Sequence, residues 1–215
     1  MTSARWPTVL FDLDGTLANT IPLILASYEH ATRLVLGSVP TEQTMRGWIG
    51  RTLWDSFSEL APDHVDDLVE AYTVWNLANL TRLVRPYAGA GELLDALGEA
   101  GVRTGVVTSK RRPAAEATLA AVGLAGRVPV LASAFDTVHH KPHPEPLLFG
   151  LRALGSAPAD GVYVGDAIVD LQAAVAAGMA SIAVTWGAAS RQELDARRPT
   201  ALCDTMEELR RVLVG

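Results

Sequence analysis

The sequence predicts an α/β fold: a parallel sheet covered by helices on both faces, carrying an all-helical insertion after its first strand. From about Pro86 onward, short runs of consecutive apolar residues alternate with segments of helical spacing, the pattern of strands buried on both faces. A strand of the same character, Thr8 to Asp12, stands alone near the start of the chain. Between the two lies helical spacing with no strand candidate. At 215 residues the chain is long enough for one such domain and its insertion.

The first strand is Val9-Leu10-Phe11, apolar on both faces, ending in Asp12. After Thr16 the spacing changes. Ile21, Leu25, Tyr28, Thr32 and Val35 recur every three or four residues and predict a helix. Further helices are expected at Thr41 to Ile49, Leu53 to Leu60 and Val65 to Leu83. The alternation then runs helix Gly89 to Ala100, strand Val102 to Thr108, helix Pro113 to Val122 and strand Val128 to Ala132. It continues with helix Pro146 to Leu154, strand Val162 to Val164, helix Ile168 to Ala177 and strand Ile182 to Val184. Met206 to Val214 reads as a packing helix. The resulting division is a core of residues 1–17 and 86–215, with a helical insertion over 18–85.

Composition narrows the function. A net charge of −6 argues against a broad nucleic-acid surface, which needs clustered Lys and Arg to replace counterions along phosphates. Cys203 is the sole cysteine, so no intramolecular disulfide forms and a reducing compartment is the simpler reading. No apolar run approaches the roughly 20 residues that span a bilayer, and the stretch from Met1 to Pro7 leaves no room for a signal peptide before the first strand. A cytoplasmic protein is expected, with no membrane partner, as a monomer or homodimer.

In an open parallel sheet, ligands bind beyond the carboxyl ends of the strands. Asp12 and Asp14 end the first strand, and on a continuing strand they would project from one face. Two such carboxylates oppose folding unless a cation or a shared proton neutralises them. The strand at Val102 ends in Thr108, Ser109 and Lys110, hydroxyls and amides suited to an anion. The strand at Val162 ends in Gly165-Asp166, with Asp170 one turn further on, and Lys141 precedes it in the proline-rich loop from Ser133 to Pro146. Hard oxygen donors beside an anionic ligand favour Mg²⁺. Bland alternatives exist: Asp166 and Thr108 as helix caps, Asp170 and Lys141 as solvated residues. His139, His140 and His143 suggest zinc, yet their spacing lacks a partner set, so solvated loop histidines are the expectation.

These motifs, in this order, resemble the haloacid dehalogenase superfamily of phosphohydrolases: Asp12-Leu13-Asp14-Gly15-Thr16, then Thr108, Lys141, and Gly165-Asp166 with Asp170. Ile49-Gly50, Asp55-Ser56-Phe57, Trp75-Asn76, Pro86-Tyr87, the Lys141 to Pro146 stretch and Ala177-Gly178-Met179 are similar to its phosphoglycolate phosphatase branch and the PpaX-type pyrophosphatases within it. The resemblance implies a Rossmann-like core with a helical cap. It further implies that Asp12 attacks phosphorus and Asp14 serves as acid and base. Asp12, the Asp14 carbonyl and Asp166 would hold Mg²⁺, with Asp170 beside them, and Lys141 would stabilise the phosphoryl group. Thr108, Thr16 and the amides of Leu13, Asp14 and Ser109 would cradle phosphate, with Lys110 beside them. Arg46, Trp48, Arg51, Trp54 and Asn76 are cap candidates for the substrate entrance, Arg51 as a substrate contact.

Asn19 and Ala167 depart from the residues usual in the family, and Leu77 and Asn79 fall where the pyrophosphatases carry other polar residues. The substrate implied is a small phosphorylated metabolite or pyrophosphate. A sugar phosphomutase would share the first chemical step, and a non-catalytic binding module would be expected to have lost Asp12, Asp14, Lys141 or Asp166.

Overall fold

The computed structural model describes residues 5–215. Its sheet has six parallel strands in the order β5-β4-β1-β6-β7-β8. These are β1 (Thr8–Phe11), β4 (Arg103–Val107), β5 (Val130–Ala132), β6 (Gly161–Gly165), β7 (Ala180–Val184) and β8 (Ala201–Cys203). The chain builds outward from β1 in one direction, then returns to place β6 on its other side. The switch point where this order reverses therefore lies between β1 and β6, where ligands enter such sheets.

Both faces of β1 are apolar because both are covered. Val9 and Phe11 pack against Leu93, Leu94 and Leu97 of α5 (Ala90–Glu99), Leu119 of α6 (Arg112–Ala121) and Leu209 and Leu213 of α10 (Met206–Val214). Leu10 points the other way, toward Leu147 and Leu151 of α7 (Glu145–Ala153) and Ala173 and Ala174 of α8 (Ile168–Ala176). Leu147 is fully buried here. Its replacement by Ala is expected to lower the unfolding free energy by about 2–5 kcal/mol through lost transfer energy and a cavity. Urea denaturation measures this, and a loss under about 1 kcal/mol would mean the site collapses freely.

The insertion consists of α1 (Ile21–Leu36), α2 (Glu42–Gly47), α3 (Leu53–Leu60), a single 3₁₀ turn and α4 (Val65–Leu83). It has its own core. Tyr28 of α1 sits among Trp48, Phe57 and Tyr72, its ring centroid 5.1, 5.5 and 4.9 Å from theirs in edge-on or tilted contacts. Asn76 is buried within this insertion and donates to the Ser27 hydroxyl at 2.9 Å, tying α4 to α1.

Three features differ from the sequence expectation. A two-stranded antiparallel ribbon joins insertion and core: β2 (Ala18–Asn19) pairs with β3 (Arg85–Pro86), Ala18 opposite Pro86 and Asn19 opposite Arg85. The short helix α9 (Arg191–Asp195) and edge strand β8 follow β7. Finally, β1 ends at Phe11, so Asp12 and Asp14 lie in the turn beyond it rather than on one strand face. Among the described residues no helix is long and apolar enough to cross a membrane.

Candidate active site

The turn after β1 is tied to β6 across the switch point, with the Asp12 amide donating to the Val164 carbonyl at 2.9 Å. This puts Asp12 beside the end of β6, where Gly165 leads into Asp166. Lys141 arrives from the loop before α7, and Asp170 from the first turn of α8. Asp12, Lys141, Asp166 and Asp170 are all buried, and the carboxylates of the three aspartates present donor oxygens within 4.8 Å of one another.

Lys141 organises this cluster. Its Nζ donates to Asp12 Oδ1 at 3.0 Å, to Asp170 Oδ1 at 2.6 Å and to the Tyr163 hydroxyl at 3.1 Å. The Tyr163 hydroxyl in turn donates to the Val107 carbonyl at 2.8 Å. Asp170 Oδ2 accepts the Ala167 amide at 3.0 Å, which caps α8 in place of a polar side chain at residue 167. Burial opposes the charge on Lys141, but Asp12 and Asp170 outweigh it and raise its pKa well above the usual lysine value.

The carboxylates carry the cost. Burial pushes the Asp12 carboxyl up to about 7; Lys141 opposes this, while Asp170 and Asp14 add to it. Burial, then Asp170 and Asp12, likewise raise Asp166 well above the carboxylate range. Asp166 is nonetheless held in place: Thr16 Oγ1 donates to Oδ1 and the Ala188 amide to Oδ2, both at 2.7 Å. A Cβ at Gly15 or Gly187 would collide with this carboxylate, and Gly15 also has φ +83°, in the left-handed region that glycine enters readily. Three buried carboxylates against one lysine leave formal negative charge in excess. Such hard oxygen donors fit a divalent cation such as Mg²⁺.

The remaining candidates take different partners. Asp14 lies outside the carboxylate cluster and pairs with Lys110 at 2.8 Å, both side chains mostly buried. Lys110, which the resemblance puts beside a phosphate, is paired with Asp14 in this structure. The Thr108 hydroxyl accepts the Lys110 amide at 3.2 Å, which leaves its proton available for a ligand oxygen. The Ser109 hydroxyl donates to the Gly50 carbonyl at 2.7 Å, fastening core to insertion, so only its amide is left for the expected anion cradle. Thr16 likewise serves Asp166, and the Leu13 side chain is core.

On the insertion, Arg51 is engaged by Glu59 at 2.8 Å and Arg46 by Glu42 at 2.8 Å. Trp48 is buried, whereas Trp54 is half exposed at the mouth of the cavity between insertion and core. His139 and His143 stack at 4.2 Å, and Glu145 supplies the third group that the sequence spacing lacked, 2.7 Å from His139 Nδ1. Both histidines are exposed.

Sequence reasoning missed Tyr163 and the loop after β7. Within a buried strand Tyr163 reads as packing, and an amide donor such as that of Ala188 carries no side-chain signature. The only hint was Gly187 following Thr185-Trp186 at a strand's end. Trp186 closes this side, its indole donating to the Thr16 carbonyl at 3.2 Å.

Known proteins are similar to this chain in sequence and fold. The chain matches the family described as haloacid dehalogenase-like hydrolase over residues 9–184. It is 35% identical over 202 residues to Pyrophosphatase PpaX of Bacillus pumilus (strain SAFR-032), covering 94% of each chain. It is 34% identical over 206 residues to Pyrophosphatase PpaX of Bacillus cereus (strain AH820), covering 96% of this chain and 95% of that one. A solved structure described as a predicted phosphoglycolate phosphatase from Haemophilus somnus 129pt superposes with a TM-score of 0.84 at 25% identity, spanning 96% of this chain and 97% of that one. With sheet order, motif order and these likenesses in agreement, the chain belongs to the haloacid dehalogenase-like hydrolase family.

Proposed function

We propose that this hydrolase removes the phosphoryl group from a small phosphorylated metabolite or pyrophosphate, with Mg²⁺ and through an aspartyl-phosphate on Asp12. Residues 5–17 and 86–215 form the catalytic core, and 18–85 a cap over it; residues 1–4 of the expected core lie outside the described residues. The observation that carries this reading is the buried Asp12 carboxylate, fixed by Lys141 beside Asp166 and Asp170 and facing the cavity under the insertion.

An Asp12 oxygen forms the bond to phosphorus as the bond to the leaving oxygen breaks, splitting one difficult displacement into two. Asp14 gives its proton to that leaving oxygen. It then takes a proton from the water that attacks phosphorus, breaks the Asp12–phosphorus bond and restores the carboxylate. Lys141 keeps the nucleophile oriented and adds positive charge where the phosphoryl oxygens gather. Thr108 donates to one of those oxygens. Asp14 must exchange Lys110 for the leaving oxygen during the cycle, so Lys110 remains a cation at the phosphate end. Asp12 and Asp166, with the Asp14 carbonyl, would hold Mg²⁺, and Asp170 would orient Lys141 beside it; the ion supplies charge that lets an anionic nucleophile approach an anionic substrate.

The test is phosphate release from a panel of phosphate monoesters and pyrophosphate with Mg²⁺ or with chelator, paired with thermal melting. Mg²⁺ is expected to be required for turnover and to raise Tm more at pH 8 than at pH 5.5. The sign follows because Asp12 near 7 and the raised Asp166 must lose protons to bind a cation. Turnover in chelator, or a Tm shift equal at both pH values, would contradict the assignment.

A further inference from the structure

The cavity that opens from Asp12 and Asp14 under the insertion has a volume of about 210 Å³ and a composition that bears on the substrate. Its walls are aromatic and aliphatic: Tyr28, Trp48 and Tyr72 behind, with Trp54, Leu77 and Phe135 toward the mouth. Trp54, Leu77 and Phe135 are 52%, 48% and 74% exposed, the apolar side chains of the lining that reach the surface. Burial holds the phenols neutral, Tyr28 being pushed up to about 12 and Tyr72 well above its usual value. Two of the basic side chains of the lining are committed: Arg51 to Glu59, and Lys110 to Asp14 or, once Asp14 turns to the leaving oxygen, to the phosphoryl end. Arg111 lies at the edge, its guanidinium 5.3 Å from the Phe135 ring.

A second phosphate, or a carboxylate, on the leaving side would enter these walls with Arg111 as its one uncommitted cation among the described lining residues. Burial of a poorly paired charge is costly, whereas apolar surface gains by entering. A dry cavity of about 150 Å³ accepts benzene, so the space here suits a ring on a short linker. We propose that the cavity takes the organic part of a phosphate monoester whose leaving group is an uncharged, ring-bearing alcohol. This rests on the phosphohydrolase reading above and narrows its substrate class. It also sets the chain apart from a dedicated pyrophosphatase.

The experiment compares kcat/KM in Mg²⁺ for 2-phenylethyl phosphate, ethyl phosphate, 2-phosphoglycolate and pyrophosphate. The first two release alcohols of similar acidity, so their ratio reports the cavity rather than leaving-group chemistry. The ring is expected to raise kcat/KM roughly tenfold to a hundredfold over ethyl phosphate, with phosphoglycolate and pyrophosphate below the aryl substrate. Leu77→Glu is expected to reduce the aryl-to-ethyl ratio at least about fivefold, and the ratio cancels any loss of folded protein. A ratio under about three in the wild-type protein, a preference for pyrophosphate or phosphoglycolate, or a ratio unmoved by Leu77→Glu overturns the cavity assignment alone. Absence of Mg²⁺-dependent release from all four overturns the phosphohydrolase reading itself.

Discussion

Asp12→Asn is expected to lower phosphate release by at least roughly 10⁴-fold while the protein stays folded. A carboxamide keeps the shape of the side chain but not the anionic oxygen that bonds to phosphorus. Removal of the Asp12 charge also relieves its repulsion with Asp166 and Asp170, and Lys141 keeps its 2.6 Å contact with Asp170. The melting temperature should therefore stay within a few degrees of the wild type or rise. Steady-state phosphate release and a thermal melt separate the two effects. Residual activity above about one per cent, with the fold intact, would remove Asp12 from the role of nucleophile.

Lys141→Met is expected to abolish activity for a different reason, and to cost about 3–5 kcal/mol of stability. Methionine matches the lysine stem but leaves Asp12 and Asp170 buried without a counter-charge. The loss has a definite pH dependence. Asp12 already sits near 7, above its unfolded value of 3.8, so the folded protein holds more protons across that window and its stability falls as pH rises. Without Lys141 the Asp12 carboxyl shifts further upward, so the deficit relative to wild type grows from pH 5.5 to pH 8. Urea denaturation at both pH values measures it. A deficit that is equal at both, or under about 1 kcal/mol, would mean that Lys141 does not compensate the buried aspartates.

The architecture was largely legible because its signals are local. Val9-Leu10-Phe11 cannot be apolar at every position unless both faces of the strand are covered, and the structure covers both, with α5, α6 and α10 on one side and α7 and α8 on the other. The β2–β3 ribbon escaped because two residues are too few to show a period, and α9 and β8 are scarcely longer. The candidate site was legible at the level of which residues come together, since strand ends in an open parallel sheet converge. The choice of partners was not. Whether Thr16 serves phosphate or Asp166 depends on a contact 150 residues away, and Ser109 meets Gly50 59 residues away. No periodicity encodes such pairings. The expectation for Asp14 rested on a strand continuing past Phe11; the turn at Gly15 instead sends Asp14 to Lys110.

The ribbon that sequence could not announce has a consequence for how such a protein changes over time. Because Ala18 lies opposite Pro86, the chain departs from the sheet and comes back at neighbouring points, so everything between them is a single closed excursion. Lengthening or exchanging an excursion whose ends already meet costs only a slowly growing closure entropy. Asp12, Asp14, Lys141, Asp166 and Asp170 sit outside it. Ancestral shuffling can thus exchange the excursion as a cassette, while the buried carboxylates and their lysine stay where they were.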